Sequence, residues 1–301
     1  MKIVGAAPRA LTPLALAAAV LAIVVPSGAV ADRSDLLLAA LVLVTALGIT
    51  ATELRDDVRR HRTSIAVLSV APLIALSLAA WAIGRPFDDQ IRDGLLAVGA
   101  ASSEVAAVGL VVLAGADATI ALGALAGSLV VSALLGPVVL GVLASHPGHA
   151  GTGHLLARFA LVVIAPLIAG VAIRSARPRV ERWDPEREGL AALLVAVLVY
   201  AALSGTAGAH HLAPALAASL MFLVVSAGLG ELWRRTTPRP VAVPGALCVA
   251  MRDFAVAAAL ASQAFGNAAG AVPGVYGVVM LLAGSAAAGR LARAHRGTPA
   301  E

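Results

Sequence analysis

The chain has 301 residues, 60% of them hydrophobic and only 13% charged, with apolar runs recurring from end to end. A soluble protein of that length has no interior large enough to hide so much apolar surface, so the class that fits is a polytopic α-helical membrane protein. The formal charge of +5 comes almost wholly from arginine in short loops, and aromatics at 3% are too sparse for a stacking platform, which excludes a nucleic-acid binder. The single cysteine, Cys248, excludes an intramolecular disulfide and any multi-cysteine metal centre.

A helix needs about 20 apolar residues to cross the hydrocarbon core. On that ruler ten spans are predicted. The first covers residues 11–25, extending to 31 on a longer reading. Lys2 and Arg9 ahead of it and Ala29-Val30-Ala31 behind it also fit a secretory signal with a small-residue cleavage site, and a retained helix is preferred here. The second span covers 35–51 and leads into the charged loop ELRDDVRRHR, and the third covers 64–84 and leads into RPFDDQIRD. The fourth, 94–116, is interrupted at Ala100-Ala101-Ser102-Ser103-Glu104. The fifth, 118–145, contains Gly136-Pro137, where loss of a backbone donor predicts a kink. The loop HPGHAGTGH follows, and then come span six at 155–176 with Pro166 inside it and the charged connector RPRVERWDPERE. Spans seven to ten cover 189–209, 212–233, 241–266 and 271–291.

Loop arginines orient the spans. With the N-terminus inside, the inward segments hold Lys2, Arg9, Arg55, Arg59, Arg60, Arg62, Arg174, Arg177, Arg179, Arg182, Arg187, Arg234, Arg235, Arg239, Arg290, Arg293 and Arg296. The outward segments hold only Arg33, Arg85, Arg92 and Arg158. Both termini therefore face the cytoplasm of a multi-pass protein of the cytoplasmic membrane. His146, His149, His154, His210 and His211 fall on the outer side; a zinc-binding or pH-sensing cluster is weighed against plain solvated loops, and the loops are preferred.

Only Glu104, Arg252 and Asp253 are charges placed deep in apolar runs, and such charges rarely survive in a bilayer without a task. Division at the histidine-glycine loop gives two sets of five spans. An odd number of crossings per set makes the second set enter from the opposite side, an inverted repeat. Weak internal similarity accompanies this: Glu104 in span four and Asp253 in span nine each precede an alanine-valine run and then a glycine with a nearby acid or amide, Gly115-Ala116-Asp117 and Gly266-Asn267. An interrupted membrane helix frees backbone groups that are tolerated only where they line a cavity or coordinate an ion or solute.

The stretches GAASSEVAAVGLVVLAGADATIALGALAGSLVVSALLGP and PGALCVAMRDFAVAAALASQAFGNAAGAVPGVYGVV resemble the bile acid:sodium symporter superfamily. The resemblance implies an all-α integral membrane protein of ten helices in two inverted five-helix repeats, with broken fourth and ninth helices crossing near mid-membrane. The first repeat is then 1–150, with spans at about 11–145, the second is 151–291, and 292–301 is a polar tail. It further implies that Ser103, Glu104, Met251, Arg252 and Asp253 bind solute or ion; the hydroxyls of Ser102 and Ser128 and the amide of Gln263 are further candidates for binding, and no resident cofactor or metal is expected. Two departures matter. The glutamate of the ninth helix in such symporters is Cys248 here, and a sodium-coordinating glutamine is Arg252, a fixed cation that repels sodium.

Arg252 is therefore expected to stand in for one sodium ion, paired with Glu104 across the crossover and with Asp253. One surplus negative charge is then left for a proton or a sodium ion to neutralise. The leading expectation is a secondary transporter of a small organic anion, attracted by Arg252 and moved by alternating access, with the lipid bilayer and that solute as its partners. An arsenite-type efflux permease is the nearer alternative, although those exporters use a cysteine in the fourth helix. A membrane enzyme is the more distant one: no histidine lies deep in any span, and Ser102-Ser103 has no base except Glu104. The bland readings are a structural Arg252–Asp253 pair, a protonated Glu104 bonded to a neighbouring serine, and back-bonded hydroxyls at Ser128 and Ser132.

Overall fold

The computed structural model describes residues 7–144, 151–177, 183–204 and 212–296. His146, His149, His210 and His211, and the connector arginines Arg179 and Arg182, lie outside these residues. Among the described residues the secondary structure is helical throughout, apart from one isolated antiparallel bridge. The helices in order are α1 (Ala7–Val24), α2 (Gly28–Ala31), α3 (Ser34–Ala46), α4 (Ala51–Gly84), α5 (Asp89–Ala100), α6 (Val105–Leu113), α7 (Ala118–Leu143) and α8 (Thr152–Phe159). A π-helical turn (Ala160–Ile164) leads into α9 (Ala165–Ala176), followed by α10 (Asp184–Ser204), α11 (Leu212–Thr236), α12 (Arg239–Ala250) and α13 (Phe254–Phe265). A 3₁₀ turn (Asn267–Gly270) then opens α14 (Ala271–Arg296).

Among the described residues, five helical stretches are long and apolar enough to cross a membrane: Arg59–Gly84, Ala118–Leu143, Gly153–Ala176, Leu212–Thr236 and Ala268–Ala287. Shorter apolar helices, Pro13–Val24, Ser34–Ala46, Gly189–Ser204, Arg239–Ala250 and Phe254–Phe265, lie among them. Large apolar side chains such as Val24, Leu36, Val142, Leu161 and Val224 stand on the outside. That inversion of the soluble pattern is what a lipid-facing surface requires.

Several boundaries differ from the sequence expectation. The charged stretch after span two is not a loop but the first turns of α4, which bends at His61 (φ −121°, ψ 27°) before the apolar part begins. Glutamate, leucine and arginine are good helix formers, and opposite charges recur there three and four residues apart. Span five keeps its expected extent, α7 running from Ala118 to Leu143 with Pro137 inside it. Ahead of Pro166 the chain widens into the π-helical turn, a common accommodation where proline interrupts the bonding ladder.

α1, α3, α9 and α10 pack with one another, while α4, α5 and α7, together with α11, α12 and α14, surround the two interruptions. Ala15, Ala19 and Ala22 of α1 are buried, and the Tyr200 hydroxyl of α10 donates to the Val25 carbonyl at 2.6 Å. Close backbone approach sets the position of α5: a Cβ on Gly99 would press on the Leu76 carbonyl and on Ser77 of α4. The core around the interruptions is alanine-rich and tight, with Ala97, Ala100, Ala101, Ala257 and Ala261 fully enclosed.

Candidate functional site

Span four breaks between α5 and α6 at residues 101–104, and span nine breaks between α12 and α13 at residues 251–253. At each break the chain turns extended: Ala101 has φ −69°, ψ 166° and Met251 has φ −113°, ψ 120°. The two extended pieces cross and pair. Ser103 and Arg252 form an antiparallel bridge, in which the Glu104 N–H donates to the Met251 carbonyl at 3.1 Å and the Asp253 N–H donates to the Ser102 carbonyl at 2.9 Å. Each break thus supplies partners for the backbone groups that the other frees, which is how a bilayer-depth interruption avoids unpaired polar groups.

Side chains from neighbouring helices complete the accounting. The Ser103 N–H donates to Ser128 Oγ at 3.1 Å, and Ser128 Oγ in turn donates to the Leu125 carbonyl at 3.0 Å. Ser132 Oγ donates to the Ala100 carbonyl at 2.7 Å. Ser103 Oγ donates across the crossing to the Cys248 carbonyl at 3.0 Å. On the second break, the Arg252 N–H donates to the Tyr276 hydroxyl at 3.2 Å and Ser226 Oγ donates to the Ala250 carbonyl at 3.0 Å.

The three charges are used on helix ends. Asp253 caps α13, its Oδ1 accepting from the Ala255 and Val256 N–H groups at 2.9 and 3.0 Å. Glu104 caps α6 more loosely, Oε1 accepting from the Ala106 N–H at 3.5 Å. The Arg252 guanidinium donates through Nη2 to the Ala101 carbonyl at the C-terminal end of α5. Each acid sits at a positive helix N-terminus and the cation at a negative C-terminus, the favourable arrangement for a macrodipole. All three residues are buried, at 2%, 1% and 2% exposure for Glu104, Arg252 and Asp253.

This corrects two expectations. Arg252 forms no ion pair with Glu104 or Asp253 among the described residues; a main-chain carbonyl freed by the break of α5 takes its guanidinium instead. Gln263 is remote from the crossing, since ten residues of α13 separate it from Asp253, about 15 Å of helical rise. Its Nε2 donates to Asp35 Oδ1 at 2.7 Å, and Arg158 holds the other oxygen of Asp35 at 2.5–2.8 Å. Met251 contributes its carbonyl to the crossing, while its side chain lies against Gly284 of α14.

Three buried atoms at the crossing have no hydrogen-bond partner among the described residues: Ser102 Oγ, Glu104 Oε2 and Arg252 Nε. Beside them a cavity of about 350 Å³ follows α6 from Glu104 to Val112 and ends at Gly48, Ala118 and Arg187. Among the described residues, Glu104 and Arg187 are its charged lining residues, and Arg252 does not line it. Ser132, Ser226 and Tyr276 were not singled out from the sequence as site residues. A phenol inside an apolar span was the available signal for Tyr276, since it must find a partner when buried. Replacing Ser132 with alanine is expected to strand the buried Ala100 carbonyl and to cost about 1–3 kcal/mol, read as a lower Tm of the detergent-solubilised protein.

The model of the SBF-like CPA transporter family matches residues 10–292. That match agrees with the resemblance to bile acid:sodium symporters carried by the two broken spans. Comparison with curated proteins gives no match.

Proposed function

Because the chain belongs to the SBF-like CPA transporter family, we propose that it is a secondary transporter moving a small organic solute through the cavity along α6, with Glu104 as the group that couples solute to an ion. The observation that carries this reading is Glu104: a buried carboxylate bordering an apolar cavity, with one oxygen lacking any partner. An ionised carboxylate left so is costly, so it takes up a proton or a cation. Arg252 is the built-in cation of the crossing and stands where a carbonyl-coordinated sodium ion would otherwise sit, which reduces the need for sodium.

The ten spans are read as two inverted five-span repeats, residues 1–150 and 151–291, whose broken fourth and ninth members make the crossing. Alternating access then proceeds by rocking of α1, α3, α9 and α10 against the helices that hold the crossing. The cavity runs toward the end marked by Gly48 and Arg187, which the loop arginines assign to the cytoplasm. At the other end Asp35, Arg158 and Gln263 tie α3, α8 and α13 together. In this reading the state is inward-open and that trio is the outer seal.

Purified protein in liposomes tests the reading: solute uptake should follow an imposed proton gradient and survive replacement of sodium by choline. Loss of all uptake without sodium would sink the stand-in role of Arg252. Asp35→Asn should weaken the outer seal. With Cys248 changed to serine, a cysteine introduced at Ser262 should then react faster with an impermeant maleimide from outside; an unchanged rate would remove the trio from the gate.

A further inference from the structure

Resting on that transporter reading, we infer that Arg187 is the residue that receives the solute's charged group. An amphipathic organic anion then lies along α6 with its acidic end at the cytoplasmic mouth and its apolar end at the crossing. The seat of the guanidinium is built into the chain. Gly48 lies in the turn after α3, Arg187 lies in the first turn of α10, and both line the cavity. A Cβ on Gly48 would stand 2.6 Å from Arg187 Nη1 and 3.0 Å from Nη2, so the guanidinium fits there only against a residue without a side chain.

The bonds of Arg187 leave the end of its fork open. Nε donates to Asp184 Oδ1 at 3.2 Å, and Nη1 and Nη2 have no hydrogen-bond partner among the described residues. Asp184 is shared, because Arg174 donates to it through Nη1 at 3.4 Å and Nη2 at 3.2 Å. Two guanidiniums around one carboxylate leave this trio with one positive charge. A planar fork with two free donors matches a carboxylate or a sulfonate.

The far end of the cavity fixes the direction of the solute. An acidic group turned to the crossing would face Glu104, whereas at the mouth it meets a cation, about 12 Å away along the eight residues from Glu104 to Val112. Arg187 keeps 20% of its side chain exposed, so a charged group beside it also retains some of its water. Arg252, the anion receptor expected from the sequence, has an Nε without a partner, but it is 1% exposed and does not line the cavity. Between the two ends the walls suit an apolar body. Leu41, Ile49, Leu122 and Val195 contribute to them, and the Thr45 hydroxyl is turned away to the Leu41 carbonyl at 2.8 Å. The volume of about 350 Å³ is that of a small-molecule pocket.

The test measures binding of three radiolabelled probes to the purified full chain: a phenylalkyl carboxylate, and the trimethylammonium ion and the alcohol of the same chain length. The carboxylate should bind tightest. Arg187→Gln should weaken it by about tenfold to hundredfold, the loss of one charge-assisted contact, and bring the carboxylate-to-alcohol ratio near unity. Arg187→Lys should restore part of that ratio. Gly48→Ala keeps the arginine but displaces its guanidinium, and it should lower the same ratio. A native chain that prefers the ammonium ion overturns the inference, as does a carboxylate affinity that survives both Arg187→Gln and Gly48→Ala. Loss of carboxylate binding in Arg252→Gln but not in Arg187→Gln places the acidic group at the crossing and overturns it too. In each of these cases, uptake of a probe into liposomes under a proton gradient leaves the transporter reading standing. Movement of no probe under proton or sodium gradients overturns both.

Discussion

Glu104→Gln is expected to uncouple transport while leaving the fold intact. A pH difference of one unit supplies about 1.4 kcal/mol per proton, which sustains about tenfold accumulation when one proton moves per solute. With an amide in place of the carboxyl group nothing titrates, and the accumulation ratio should fall to about unity. The amide carbonyl still accepts from the Ala106 N–H, so the cap on α6 survives and the Tm should stay close to that of the native chain. The pH profile of exchange should flatten as well. A variant that still concentrates solute against a pH gradient would remove Glu104 from the coupling step.

The larger structural effect is expected at Arg252. Its guanidinium supplies a donor to the Ala101 carbonyl and, among the described residues, the positive charge at the crossing, beside Glu104 and Asp253. Arg252→Ala leaves that buried carbonyl without its donor and removes the positive charge nearest the two buried acids. Removing one member of such a buried set costs about 3–5 kcal/mol, so poor recovery of monodisperse protein and a markedly lower Tm should follow. Arg252→Gln separates the charge from the volume. It restores the neutral amide found at this position in the symporters that the chain resembles, and with the built-in cation gone the protein should become stabilised by added sodium. The native chain should melt at the same temperature in sodium and in choline. Equal melting of Arg252→Gln in both salts would refute the stand-in role.

How much of this was legible in the sequence depends on the kind of signal. The two interruptions could be located because three ionisable residues in hydrocarbon-length runs demand an explanation, even where Met251-Arg252-Asp253 offers no glycine or proline. The partner of Arg252 could not be read. Residue identities name the acids within reach, but a carbonyl released by a broken helix is present at every residue and leaves no mark. Gln263, read from the sequence as a candidate for lining the cavity, lies about three turns from Asp253 in the same span, and composition does not say which end of a span a polar residue serves. The hydroxyl of Ser132 could have bonded to its own helix as easily as to Ala100, and only the close passage of α5 over α7 decides. The helical start of α4 was hidden by charge density, which marks a segment as solvated without saying whether it is coiled.

The antiparallel pairing of Ser103 with Arg252 has a mechanical consequence. Four half-helices are spliced at one point by main-chain bonds, so no one of them can tilt alone without baring a polar group to an oily interior. In the proposed alternating-access cycle, relative motion then falls along the cavity that separates α6 from α10, whose lining is almost wholly apolar. In that proposed cycle the polar knot is the axle and the apolar cleft beside it the bearing.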